Sequence, residues 1–209
     1  MALLLRHEEP RCLWGIWRMD ESLPEVEQAL QDTPYVAEAR ARFRSLQRRW
    51  EWLTARLLLH ELTGRFPQIA YHPSGRPYLA DDSLQISFSH TRGYVALILS
   101  PHTVGIDIEQ FGRRVERVAS RFMRPDESAP LYQGSPLYGL LLHWSAKETL
   151  FKCLDAAEVD FLCHLRIHPF SLQEQGAFDA SEYKTPLRRC FRVHYRLHPD
   201  FVLTYTVAD

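Results

Sequence analysis

Three apolar runs follow one another almost without pause in the middle of this chain, and they restrict its fold more than any other feature. "LQISFSH" (84–90) alternates, with Leu84, Ile86 and Phe88 on one face. "YVALILS" (94–100) reads as a buried strand, joined to the first by a hairpin turn at Thr91-Arg92-Gly93. "VGIDIE" (104–109) follows Pro101-His102 as a third strand. The hairpin turn makes the first two runs antiparallel neighbours, because a parallel pair needs a crossover of a dozen residues or more. An antiparallel sheet therefore stands at the centre of the fold.

The flanks add helices. Residues 38–63 read as one long helix, with Phe43, Leu46, Trp50, Leu53 and Leu57 at 3,4,3,4 spacing and Gly64 placed to cap it. Arg42, Arg49 and Arg56 recur every seven residues on a neighbouring stripe. "RRVERVASRF" (113–122) reads as a basic amphipathic helix: Val115, Val118 and Phe122 take one side, and Arg113, Arg117 and Arg121 take another. A second long helix spans roughly 136–154. "CLWGIWRM" (12–19) reads as a first strand, "FLCHLRIHPF" as a later one, and "CFRVHYRLH" with "FVLTYTV" as a terminal hairpin. The order is strand, helix, three strands, two helices, then strands. That is an α+β pattern, with helices packed on antiparallel sheets. A division near residue 110 separates 1–110 from 111–209, although no flexible linker marks it.

A chain of 209 residues with 24% charged residues and a net charge of −1 has an ordinary globular composition. It offers no bulk attraction to nucleic acid or membrane, only the possibility of a local basic patch. "MALLLRHEEP" is too short for a signal-peptide core, and no run approaches transmembrane length. The cysteines (Cys12, Cys153, Cys163, Cys190) are scattered without a CxxC, as expected of reduced thiols in a cytosolic protein. Cys163-His164 is at most half a zinc site, with no partner pair nearby.

The third strand raises a chemical question. Asp107 and Glu109 lie two apart, so they share a face, while Ile106 and Ile108 pack behind. Two ionised carboxylates ~6 Å apart at an effective dielectric of ~20 repel by roughly 3 kcal/mol. A divalent cation offsets that repulsion, and Mg²⁺ prefers a few carboxylates together with substrate phosphates. A solvated edge strand with its polar face in water is the plainer alternative. "WSAKETLFK" (144–152) then places Glu148 and Lys152 at i, i+4, with Trp144 one turn earlier and Lys147 alongside. An exposed ion pair would account for the spacing. Yet Trp, Phe and Leu137, Leu140 and Leu141 surround these charges, so the helix reads as buried, and buried carboxylates need partners. A third acidic ligand flanked by lysines suits a metal-diphosphate site. "ISFSHT" ends a strand with Ser89 and His90, which can donate to phosphate, although a lone His is often merely structural. "GRPYL" holds Arg76 in a Gly-Pro turn suited to a phosphate or ribose edge.

"GRPYL", "ISFSHT", "VGIDIEQ" and "WSAKETLFK", in this order, resemble the 4′-phosphopantetheinyl transferases, in particular the larger single-chain, Sfp-type class. The resemblance covers roughly residues 40–170. It implies two similar α+β halves related by a pseudo-twofold axis, with the active site at their junction. The family's Mg²⁺ ligands match Asp107, Glu109 and Glu148. Its phosphate contacts match Ser89, His90 and Lys152, with Lys147 nearby, and its basic residue in the G-[KR]-P turn matches Arg76. Arg48, Arg49 and Arg56 are candidates for the 3′-phosphate of coenzyme A. Glu127, with Asp126 as its rival, matches a glutamate that helps deprotonate the acceptor serine; a water on the metal is the other candidate. One departure is the lack of a glycine turn in "CLDAAEVDFL" (153–162).

The implied reaction moves 4′-phosphopantetheine from coenzyme A to a serine of an apo acyl or peptidyl carrier protein, releasing adenosine 3′,5′-bisphosphate. The carriers of the family serve fatty-acid, polyketide or nonribosomal peptide synthesis and are acidic around the serine. Residues 111–124 hold five arginines and one glutamate, a local +4, so an acidic carrier helix is expected against Arg113, Arg117 and Arg121. A nucleic-acid reading of that patch lacks aromatic interleaving. A non-catalytic coenzyme A- or carrier-binding module and a Mg²⁺-dependent diphosphate hydrolase are the rivals. A chain of two halves can be complete as a monomer.

Overall fold

The computed structural model describes residues 3–81, 83–154, 156 and 158–208. The glycine-free stretch 153–162 includes Asp155 and Ala157, which lie outside the described residues. The chain opens with β1 (Leu3–Glu9) and β2 (Cys12–Arg18), then α1 (Leu23–Ala29), α2 (Tyr35–Arg42) and α3 (Leu46–Thr63). Four strands follow: β3 (Ile69–Tyr71), β4 (Pro77–Leu79), β5 (Gln85–Thr91) and β6 (Tyr94–Ser100). Then come β7 (Thr103–Gln110), α4 (Arg114–Val118), α5 (Leu137–Cys153), α6 (Phe161–His164), β8 (Leu165–Ile167), β9 (Gln175–Glu182), β10 (Cys190–Leu197) and β11 (Phe201–Ala208).

Two antiparallel sheets result. The first has the order β1-β2-β6-β5-β4-β3 and the second β7-β11-β10-β9-β8. Each carries one long helix. Leu58, Leu59 and Leu62 of α3 pack on Ile86, Leu97 and Leu99 of the first sheet. Leu142, Ala146 and Leu150 of α5 pack on Leu165, Phe178, Val193 and Val202 of the second. Between the sheets, Ile106 and Ile108 of β7 meet Trp14, Ile16, Ala96, Ile98, Leu203 and Tyr205. The α+β architecture expected from the pattern of elements is thus observed.

β7 is the edge of the second sheet, and an uncovered edge leaves backbone donors without partners. β5 covers it. Ser87 Oγ accepts the Ile106 N–H at 3.3 Å, and Thr91 Oγ1 accepts the Gln110 N–H at 3.1 Å. The alternation of β5 therefore has two meanings. Ile86 and Phe88 face α3, while Ser87, Ser89 and Thr91 form a polar seam that joins the two sheets. β7 pairs with β11, so the break between the sheets falls between β6 and β7.

Several local expectations are corrected. The helix expected over 38–63 is two helices. Phe43 turns extended, Ser45 starts α3 by accepting the Arg48 N–H, and Arg49 Nε donates to the Phe43 carbonyl at 2.8 Å. Leu46 is consequently 64% exposed rather than part of the core stripe. Gly64 does close α3, at φ +69°, where only glycine escapes a steric cost. The basic helix stops at Val118 and tightens into a 3-10 turn over Ala119–Arg121, which lets Phe122 reach the core. "FLCHLRIHPF" is a single helical turn followed by a three-residue strand. β1 and β9, which lack clean alternation of apolar residues, are additional strands.

Candidate active site

The site forms where α5 lies on β7. That approach depends on Gly105: a Cβ there would stand 2.2 Å from the Thr149 carbonyl oxygen and 2.9 Å from Cys153 Sγ. Hydroxyls fix the register of the helix. Thr149 Oγ1 is 2.7 Å and Ser145 Oγ 2.9 Å from Thr204 Oγ1 on β11, the cross-strand partner of Asp107. With α5 so placed, its Trp144-Glu148-Lys152 stripe faces the acidic side of β7. Trp144 Nε1 donates to Glu109 Oε1 at 2.7 Å. Lys152 Nζ donates to Asp107 Oδ1 and to the Ile106 carbonyl, both at 2.8 Å.

Asp107 is 3% exposed. Its Oδ1 also accepts from Ser89 Oγ at 2.8 Å, whereas Oδ2 is buried without a partner. Glu109 is pushed up to about 7, chiefly by burial and then by Asp107, against the pull of Trp144. Glu148 is raised for the same two reasons, burial first and Asp107 second. The three carboxylates therefore feel one another, and Lys152 is the ammonium that bonds into the cluster. This donor set fits a hard divalent cation: all ligands are oxygen, one oxygen is bare, and the charges repel. Among the described residues no three His, Cys, Asp or Glu side chains already converge as a metal cluster.

A cavity of about 500 Å³ opens beside this cluster, between α3, the β3–β4 turn, β5 and the end of α5. Its walls carry Arg48, Arg56, Arg76, Ser89, His90 and Lys152, six of the residues singled out in the sequence. Arg56 is 4% exposed, and no carboxylate among the described residues lies in bonding range of it. It lies 3.4 Å over the Trp52 ring, donates to Tyr71 Oη at 3.1 Å and leaves Nε unpartnered. Burial lowers its pKa, so the folded protein holds this cation at a cost. Arg76 likewise has a buried, unpartnered Nε. Its turn is shaped by Gly75 at φ +88° and by the His72 N–H bonding to the Arg76 carbonyl at 2.9 Å. His90 Nδ1 is 3.5 Å from Glu51 Oε2, and burial nevertheless lowers its pKa below the usual imidazole value.

Not every expected residue reaches the cavity. Arg49 is occupied at the helix break. Lys147 and Glu127 are turned away, with side chains that are wholly enclosed and paired to each other at 2.7 Å. Glu127 accepts the Arg124 and Ile167 N–H groups as well, and therefore has no face for a substrate hydroxyl. Asp126, the rival base, pairs on the surface with Arg124 and Arg166. The sequence reading missed Glu51, Trp52 and Tyr71. Arg48, Trp52 and Arg56 stand at i, i+4, i+8, a signal obscured by the heptad of Arg42, Arg49 and Arg56 that the helix break dissolves.

Among the described residues Arg48, Arg56 and Arg76 pair with no carboxylate, and the wall they share carries Ser89 and Lys152, which both bond Asp107 Oδ1, an arrangement suited to a polyanion. The 4′-phosphopantetheinyl transferase superfamily model matches residues 103–206, from the first residue of β7 into β11, and so takes in the whole carboxylate cluster. No curated protein matches the chain. The match suggests phosphopantetheine transfer. No helix among the described residues is long and apolar enough to cross a membrane.

Proposed function

We propose that the chain transfers 4′-phosphopantetheine from coenzyme A to a serine hydroxyl of an apo acyl or peptidyl carrier protein, as a single-chain, Sfp-type enzyme of the cytoplasm. One observation carries the reading: the arginine-lined cavity has Ser89 and Lys152 in its wall, and both bond Asp107 Oδ1. Arg48, Arg56 and Arg76 take the phosphates of coenzyme A, and binding relieves the unpaired burial of Arg56 and Arg76. Ser89, His90 and Lys152 hold the diphosphate. Mg²⁺ held by Asp107, Glu109 and Glu148 would supply positive charge to the diphosphate oxygens. The serine oxygen bonds to the phosphorus that carries the pantetheine, the diphosphate bridge breaks, and adenosine 3′,5′-bisphosphate leaves. With Glu127 enclosed, Glu148 is the carboxylate assigned to the serine proton. Two sheets, each with one long helix, support reading the halves as a pseudo-twofold pair.

The carrier surface is assigned to the segment ending α4. Arg113, Arg117 and Arg121 are exposed, and no carboxylate among the described residues lies within ion-pair distance of them. An acidic carrier helix would neutralise them. The test is the mass of an apo carrier after incubation with coenzyme A and Mg²⁺. A gain of one phosphopantetheine supports the transferase. An unchanged carrier with cleaved coenzyme A would make the protein a diphosphate hydrolase, and an unchanged carrier with intact, bound coenzyme A a binding module.

A further inference from the structure

The enclosed pair that the site does not use has a position of its own. Lys147 spends all three ammonium hydrogens: on Glu127 Oε2 at 2.7 Å, on the Phe122 carbonyl at 2.6 Å and on the Phe161 carbonyl at 3.2 Å. Glu127 spends both oxygens. Oε2 also accepts the Arg124 N–H at 2.9 Å, and Oε1 accepts the Ile167 N–H at 2.7 Å. Both side chains are 0% exposed. Four stretches of chain are thereby tied to one point on α5: the end of the basic segment, the loop after it, the start of α6 and the end of β8. None of them is joined to α5 by regular sheet or helix hydrogen bonds. That point is one residue before Glu148. A fully satisfied buried pair specifies geometry more than it adds stability, since apolar residues of similar volume often serve the fold equally well.

We propose that Lys147 and Glu127 are positioning residues that lock the basic segment 113–124 at a set height and angle against α5. The surface offered to the acidic partner is thereby aligned with Glu148. The inference rests on the reading of that segment as the carrier surface. Coenzyme A contacts belong to α3, the β3–β4 turn, β5 and Lys152 near the end of α5, and none of the four tied stretches lines that cavity.

The experiment compares wild type with Glu127→Gln and with the double variant Lys147→Met/Glu127→Leu, which fills the same volume without charge. Amide hydrogen exchange, melting temperature, coenzyme A affinity by calorimetry, and KM and kcat for an apo carrier are measured on each. In the double variant, exchange should quicken across 113–124 and 161–167 while α3 and β5 keep wild-type protection. Carrier KM should rise about tenfold or more with coenzyme A affinity within about twofold, the split expected of a displaced docking surface. Glu127→Gln should shift the same quantities in the same direction, and it provides the reading if the double variant does not fold. Unchanged exchange in 113–124, or a folded variant with wild-type carrier KM, overturns the proposal. So does a large loss of kcat at every carrier concentration with KM unchanged, since that would return Glu127 to the chemistry. A wild-type protein that transfers nothing to any carrier overturns the transferase reading instead, and leaves the exchange result to decide whether the lock exists.

Discussion

Asp107 Oδ2 and Arg56 Nε are a buried acceptor and a buried donor left bare, and each implies a ligand of opposite charge. For Asp107→Asn, removing one of three mutually repelling charges should leave the apo fold at or above wild-type stability. Transfer should fall by roughly a hundredfold or more, the scale of losing one pre-placed electrostatic contact. Mg²⁺ should raise the melting temperature of wild type but not of this variant, and calorimetric scans with and without the ion check it. Arg56→Met makes the complementary case. Methionine keeps the stacking volume over Trp52 and removes an unpaired cation, so the apo protein should melt higher. Coenzyme A affinity should weaken by roughly 1.5–3 kcal/mol, the range for a lost charge-assisted bond. A variant that binds coenzyme A normally would move the phosphate contact elsewhere.

At the scale of elements, the seating of α5 on β7 decides where Glu148 and Lys152 stand. Gly105→Ala forces a Cβ into the Thr149 carbonyl, so the helix must lift. The expected loss is roughly 1–3 kcal/mol of stability, together with a fall in transfer, because Lys152 and Glu148 move with the helix. Gly112→Ala, where a Cβ meets nothing within 4 Å, is the matched control and should be neutral. The same helix carries His143, which is 2% exposed, bonds through Nδ1 to the Gly139 carbonyl, and is held below its ordinary pKa chiefly by burial. A histidine whose folded value is depressed binds its proton more readily when unfolded. Its cost is absent above pH ~6.5 and grows as pH falls below that, by at most about 1.4 kcal/mol per pH unit. Melting temperature against pH between 7 and 5 should therefore fall less steeply in His143→Gln than in wild type.

Over the whole molecule, charge is nearly balanced at −1, yet 111–124 is locally +4. Attraction to an acidic partner is then a local, screened effect. Arg113→Glu with Arg117→Glu should raise carrier KM strongly and leave coenzyme A KM nearly unchanged, since neither residue lines the cavity. Wild-type rate at low carrier concentration should fall as salt rises, and the double variant should show a flatter profile. An equally steep salt dependence in the variant would place the carrier elsewhere.

Local chemistry was legible in the sequence alone. Period-two alternation paired Asp107 with Glu109, helical spacing aligned Trp144, Glu148 and Lys152, and a Gly-Pro turn marked Arg76. These depend on backbone geometry that repeats over a few residues. The hairpin of β5 with β6 and the terminal hairpin were legible for the same reason, whereas the move of β7 into the other sheet was not. What tertiary structure alone decided is which charges face a cavity and which face each other. Lys147 and Glu148 are adjacent in sequence but point about 100° apart around the helix. One closes a buried pair with Glu127, twenty residues upstream, and the other joins the carboxylates. The break at Phe43 is of the same kind. A helical pattern of side chains runs through it, but the Ser45 cap and the Arg49 bond to the Phe43 carbonyl redirect the chain. Gly105 completes the contrast. Its place beside Asp107 was plain in the sequence, but its necessity was not, because the atom that excludes a side chain there is the carbonyl of Thr149, which only the folded chain brings within 2.2 Å.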